Sequence, residues 1–371
     1  MSAPSYRVAV IKGDGIGVDV TDATMTVLDA ACARVGGVRL VREELAAGAA
    51  HFEAHGTDVA PGVEDAAQAA DAIFLGAIGL PHVRHADGTE ISPHLRLRDR
   101  LGLYAGVRPV KAYPNAPLPL ADPRAADIDL VVLRESTEGL FWSAAAHRRD
   151  TVCNDDEVRD VLRITRATTE KLHDFGFRLA RKRKARGGRG KLTCVDKANV
   201  FRSMALFRKI YDERAAAFPD VERDYRYVDA QALDLVRKPW ESDVLVTENM
   251  FGDILSDLAG GLVGGMGLAP CAEIGDGHGL FQPAHGSAPD IVGRDLANPL
   301  AAILSGALML DWLAERDGDV EATADAARLI EVAVERGFAE RRIRPAEFGG
   351  DMGTRAVAAE LVRIVRSGET G

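Results

Sequence analysis

Two aspartates four residues apart, Asp253 and Asp257, stand in the run Thr247-Glu248-Asn249-Met250-Phe251-Gly252-Asp253-Ile254-Leu255-Ser256-Asp257. The preceding Asp243-Val244-Leu245-Val246 is apolar after its first residue and β-branched at two positions, which suits a buried strand. Glu248 and Asn249 end that strand, and a helix is expected to begin near Gly252. The spacing then projects both carboxylates from one helix face. Neighbouring acids repel unless something positive lies between them, and a divalent cation with oxygen ligands meets that need. The alternative is that Asp253 caps the helix while Asp257 is solvated.

A second cluster has the opposite sign. In a chain of net charge −10, Arg96, Arg98, Arg100, Arg108 and Lys111 form a basic island. The planar guanidinium fork suits bidentate carboxylate binding, which points to an anionic substrate. A solvated basic helix face is the alternative, and it suits Arg96 and Arg100 best. A third candidate is Lys197, at the end of the strand pattern Leu192-Thr193-Cys194-Val195-Asp196. A lysine can remove a proton only where burial or nearby charge lowers its pKa.

The elements that must position these groups alternate along the chain. Strands are expected at Tyr6 to Ile11, Ala72 to Ile78 and Ile128 to Leu133, with helices at Val18 to Ala33 and Val63 to Ala70. Such alternation predicts an α/β fold with a largely parallel sheet. A length of 371 residues exceeds the usual single core, so two lobes are expected. Apolar residues at 47% and charged residues at 27% are ordinary for a soluble enzyme. The negative net charge argues against nucleic acid as the main partner. The basic run from Arg181 to Lys191 lacks aromatic interleaving and reads as a solvated helix end. No apolar run is long enough to span a bilayer or to act as a signal peptide. Four scattered cysteines (Cys32, Cys153, Cys194, Cys271) suit free thiols in a reducing cytoplasm. The turn Gly13-Asp14-Gly15-Ile16-Gly17 follows the first strand but lacks full dinucleotide-fingerprint spacing, so a Rossmann fold is not expected.

The run ENMFGDILSDLAGGLVGGMGLAP, followed by HGSAPDIVGRDLANPLAAILSGALML, resembles the β-decarboxylating dehydrogenases, which act on isopropylmalate, isocitrate, homoisocitrate and tartrate or D-malate. The resemblance covers nearly the whole chain. It implies a two-lobed isopropylmalate-dehydrogenase-like α/β fold, with residues 1–103 plus 264–371 as the large NAD-binding domain. Residues 104–263 would form the small domain and carry the dimer contacts. It further implies Arg98, Arg108 and Arg134 as substrate-carboxylate ligands, and Lys197 as the lysine assisting proton removal. Asp253, Asp257 and Asp229 are implied as ligands of Mg²⁺ or Mn²⁺, with Lys197 and Asp229 supplied by the partner in a homodimer.

On the cofactor side the resemblance implies Ile16 and the loop His285, Gly286, Ser287, Ala288, Asp290 and Ile291, with Asn298 against the adenine. Asp290 would accept from ribose hydroxyls and repel a 2′-phosphate, so NAD is expected; NADP-dependent relatives carry Lys-Tyr at Asp290-Ile291. Gln282 stands where many relatives have glutamate. Two further departures stand out. Phe141 occupies the position of a tyrosine thought to return a proton after decarboxylation, so decarboxylation could be carried by another donor, or be absent. Ser92 and His94 occupy the stretch that separates substrates, which is apolar in isopropylmalate enzymes. A polar, anionic or small third substituent is therefore expected. A catalytically silent subunit is a third possibility, opposed by retention of the lysine, acids and arginines.

Overall fold

Val8-Ala9-Val10-Ile11 and Ile73-Phe74-Leu75 are apolar at every position, as strands covered on both faces must be. In the computed structural model, which describes residues 4–144 and 151–367, these segments pair side by side and are buried throughout. They belong to strands β1 (Ser5–Gly13) and β3 (Ala72–Ala77). The other strands are β2 (Arg39–Glu44), β4 (Ala105–Lys111), β5 (Asp129–Glu135), β8 (Lys191–Asp196) and β9 (Glu222–Tyr227). Three more are β10 (Val244–Thr247), β11 (Pro270–Ile274) and β12 (Gly279–Pro283), while β6 (Val152–Cys153) and β7 (Val158–Arg159) form a separate small ribbon.

Among the described residues, ten strands form one sheet in the order β2-β1-β3-β12-β11-β4-β5-β10-β8-β9. Pairing is parallel through β2-β1-β3-β12 and again through β5-β10-β8-β9. Between these groups, β11 and β4 are antiparallel to both neighbours. The sheet is thus mixed and largely parallel, as expected. Three successive reversals make the two parallel groups run in opposite directions. The helix Leu300–Arg316, buried along most of its length, packs on β11 and β12 and against the helices Gly17–Val35 and Glu321–Ala339.

Two expectations are refined by local chemistry. The helix after β10 begins at Asn249 rather than near Gly252, because Glu248 takes the N-cap position and accepts from the Phe251 N–H at 3.2 Å. Asp253 therefore does not cap the helix; it lies within it and is free to project. The turn Gly13 to Gly17 is a packing device. Gly13 has φ +71°, and a Cβ there would lie 1.8 Å from the Ala77 carbonyl oxygen. Buried Asp14 accepts from the N–H groups of Ala49, Ala50 and Gly79, each at 2.8 Å, tying three segments together.

The charge-rich stretch that starts at residue 147 lies outside the described residues up to residue 150. Its basic end is neutralised internally. Arg181 pairs with Asp220, Lys182 with Asp311 and Glu315, Arg183 with Asp243 and Asp129, and Arg186 with Asp311. No helix among the described residues is long and apolar enough to cross a membrane.

Replacing Asp14 with alanine leaves one buried and two partly buried N–H groups without that partner and should cost roughly 2 kcal/mol. Urea unfolding checks this; a midpoint equal to that of the parent would mean the loops are held by other contacts.

Candidate active site

Strand register sets the centre of the site. Glu273 on β11, Gly106 on β4 and Arg134 on β5 lie directly opposite one another across three strands. Residues facing each other in antiparallel pairs share a sheet face, as do residues two apart on one strand. Arg108, two beyond Gly106, therefore joins Glu273 and Arg134 on that face. Gly106 supplies the space, because a Cβ there would stand 2.6 Å from Ser136 Oγ and 3.0 Å from Glu273 Oε2. Arg98 reaches the same place from the helix Pro93–Arg100.

The three arginines separate cleanly from their neighbours. Arg98, Arg108 and Arg134 are 4%, 7% and 2% exposed. Arg96 instead bonds Asp58 and Glu64 at the surface, Arg100 bonds Glu64 and Asp65, and Lys111 pairs with Glu335. Arg98 Nη2 lies 2.9 Å from Glu273 Oε1, and Arg108 Nη2 lies 3.9 Å from the same oxygen. Arg134 donates from Nε to Asn249 Oδ1 at 2.8 Å and from Nη1 to Asp253. Its guanidinium also stacks 4.7 Å above the Phe141 ring. Burial, followed by Arg108 and Arg98, lowers the Arg134 pKa to about 10. Burial pushes the Glu273 carboxyl upward, yet Arg98, Arg108 and Arg134 outweigh it and hold the group below its usual range.

The acids fall into two groups. Asp253 and Asp257, one turn apart, both lie 3.9 Å from Arg108. Burial raises the Asp257 pKa despite Arg108, and Asp253 adds to that rise. Two hard oxygen donors on one face, one of them destabilised by its neighbour, fit a divalent cation. Asp229 stands with Lys197 instead, at 2.5 Å, and that bond from Lys197 holds its carboxyl low. Among the described residues of a single chain, no three His, Cys, Asp or Glu side chains converge as metal ligands. Lys197 and Asp229 nevertheless emerge at related places. Val195 is in register with Thr247 and Thr247 with Arg134, so Lys197 follows the same ends of the parallel strands. Tyr227 pairs with Asp196, and Asp229 comes two residues later.

His94 lies one turn before Arg98, and its Nδ1 is buried without a partner. Burial, then Arg98, drives its pKa down to about 3, so the ring is neutral. Ser92 takes the N-cap position of that helix but makes no capping bond through its side chain.

The second group of expected residues gathers at the ends of β1, β3 and β12. Ile16 N–H donates to the Ser287 carbonyl at 2.8 Å, and Ser287 Oγ donates to the Gly79 carbonyl. Ala288 takes φ +36° before the turn Pro289–Ile291, which leaves Gly286 and Asp290 exposed and packs Ile291 partly on the core. His285 Nδ1 faces the Gly286 carbonyl at 2.9 Å, while its Nε2 is buried with no partner. Asn298 donates to Glu347 at 2.8 Å. The exposed Asp290 carboxylate and the unpartnered His285 nitrogen, on one loop, are polar groups of the kind that a ribose-bearing cofactor would engage.

Sequence reasoning missed Glu273, Glu347 and the role of Asn249. Asn249 is fully buried and joins Arg134 to the Glu138 carbonyl, to which it donates at 2.8 Å. A signal for Glu273 was present: a lone acid inside the otherwise apolar strand Pro270-Cys271-Ala272-Glu273-Ile274. Its arginine partners, however, come from segments more than 130 residues away in the chain.

Comparison with known proteins agrees with this geometry. The isocitrate/isopropylmalate dehydrogenase family model matches residues 7–365. The 3-isopropylmalate/3-methylmalate dehydrogenase of Methanocaldococcus jannaschii is 39% identical, over 97% of this chain and 99% of that one. The 3-isopropylmalate dehydrogenase of Moorella thermoacetica is also 39% identical, over 97% and 98%. The crystal structure of isocitrate dehydrogenase from Methylococcus capsulatus superposes with a TM-score of 0.83 at 36% identity, covering 97% of this chain and 99% of that one. The chain belongs to the isocitrate/isopropylmalate dehydrogenase family, oxidoreductases that act on a CH–OH group.

Proposed function

We propose that the protein oxidises a 3-substituted malate-type 2-hydroxy acid with NAD and Mg²⁺ or Mn²⁺, with decarboxylation following. The observation that carries this reading is the meeting of three buried arginines with Asp253 and Asp257 on one sheet face. The division into an NAD-binding lobe (1–103 plus 264–371) and a second lobe (104–263) belongs to the same proposal. The turn of the sheet through antiparallel β11 and β4 supports it.

Arg98, Arg108 and Arg134 hold and orient the substrate carboxylates. Asp253 and Asp257, joined by Asp229 of the second copy, would hold the cation. When bound, the ion supplies Lewis-acid polarisation of the substrate oxygen, and NAD supplies the hydride acceptor. Lys197, supplied by the second copy as a neutral amine, takes the proton from the C2 hydroxyl, and Asp229 of that copy holds it in place. Phe141 places its ring 4.7 Å from the Arg134 guanidinium but has no proton to return to carbon after loss of carbon dioxide. A water molecule or another side chain delivers that proton. Because Phe141 is the residue present, a non-decarboxylating oxidation of a tartrate or malate type is the second reading.

A homodimer with shared sites is part of the proposal. Val200 and Phe201 follow Lys197, Leu233 and Val236 share a helix with Asp229, and Ile254 adjoins Asp253. All five are 48–59% exposed. Apolar side chains clustered around incomplete chemistry suit burial by a second copy. The four cysteines are free, which suits a cytoplasmic setting, and a small carboxylate rather than nucleic acid or membrane is the proposed partner.

NADH formation with a panel of 3-substituted malates and Mn²⁺, with carbon dioxide measured in parallel, tests the reading. NADH is expected and should vanish with a chelator. NADH without carbon dioxide selects the second reading, and no NADH with any substrate overturns both. Phe141→Tyr should raise carbon dioxide released per NADH formed; an equal ratio would mean that another donor already suffices. The pair Asp290→Lys and Ile291→Tyr should move the kcat/KM ratio towards NADP by about tenfold or more, since it exchanges repulsion of a 2′-phosphate for attraction.

A further inference from the structure

The proposed reaction leaves Glu273 without a part. Its side chain is fully buried, and it engages Arg98 at 2.9 Å and Arg108 at 3.9 Å, two of the groups meant to hold substrate carboxylates. Gly106 leaves the space that admits it between those strands. A carboxylate in this position acts as a resident anion. It pairs with the Arg98 guanidinium and, with Asp253 and Asp257 assigned to the proposed cation, reduces three positive charges to two. On the helix that carries Arg98, His94 stands one turn earlier, with Nδ1 buried and unpartnered. Being neutral, that ring can exchange one hydrogen bond but adds no charge.

We propose that Glu273 and His94 restrict this site to a dianion: a 2-hydroxy diacid whose third substituent is small and uncharged, such as hydroxyl or methyl. This rests on the assignment of the arginines to substrate carboxylates. Two substrate carboxylates match the two remaining positive charges. A third would meet Glu273 with no free guanidinium to receive it, at a cost that low dielectric magnifies. His94 Nδ1 and Glu273 Oε2 are already buried without a hydrogen-bond partner, and a branched apolar group could satisfy neither. Hydroxyl or methyl is compact enough to leave Glu273 its pairing with Arg98.

The test measures calorimetric binding of 3-methylmalate, tartrate and isocitrate to the intact protein with Mn²⁺ and without NAD, then NADH formation once NAD is added. The two diacids should bind at least about tenfold more tightly than the tricarboxylate. Glu273→Gln, its fold checked by near-ultraviolet circular dichroism, should close that gap by about tenfold through gained affinity for isocitrate. Parent protein that binds isocitrate as tightly as the diacids, or that binds none of the three, overturns the proposal whether or not the variant folds. A folded variant with an unchanged preference overturns it too. The expected binding preference without any NADH would support the dianion site while overturning the oxidation reading.

Discussion

Three guanidinium groups in a protein interior set the terms for everything around them. Each buried ion carries a desolvation cost of several kcal/mol unless partners meet it with good geometry. The surroundings answer with one acid at Glu273, one at Asp253, the Asn249 carbonyl oxygen and the face of Phe141. None of these suffices alone: the Arg134 pKa still falls to about 10, because burial and its two arginine neighbours outweigh its acids. On the proposed reading, Asp253 and Asp257 are committed to a cation, and the arginines outnumber the one remaining acid, Glu273. Selection of a carboxylate substrate would then follow from the packing rather than from any one residue.

The sheet makes that concentration of charge possible. Antiparallel β11 and β4, inserted between two parallel groups, bring Glu273, Arg108 and Arg134 to one face by register alone. The parallel strands β5, β10 and β8 then end level with one another, delivering Arg134, the helix of Asp253 and Lys197 at their carboxyl ends. Ligands of open α/β sheets characteristically lie there. The cofactor-side residues likewise follow the ends of β1, β3 and β12, stitched by the bonds of Ser287 to Ile16 and Gly79.

The acids divide differently from the arginines. Asp253 and Asp257 lie within reach of Arg108, whereas Asp229 is engaged by Lys197. Val200, Phe201, Leu233, Val236 and Ile254 are exposed apolar side chains on the same segments as these groups, as a surface buried by a second copy would be on the proposed reading. In the proposed dimer one contact area would cover apolar groups and complete the chemistry together, coupling assembly to activity.

Much of this was legible in the chain itself. Apolar runs such as Val8 to Ile11 announced buried strands because both faces of a covered sheet exclude water, and the four-residue interval of Asp253 and Asp257 announced a shared helix face. Arg98, Arg108 and Arg134 were identified by their motifs, as were Ile16, Ser287 and Asn298. Arg96 and Arg100 were already the residues best suited to a solvated face, and the tertiary structure pairs both with acids at the surface. Tertiary structure alone decided that Glu248, not Asp253, caps the helix of Asp253, and that Glu273 lies among the arginines. Local patterns report what a residue's immediate neighbours allow. Charge compensation is settled by whichever distant segments the sheet register brings within a few ångströms.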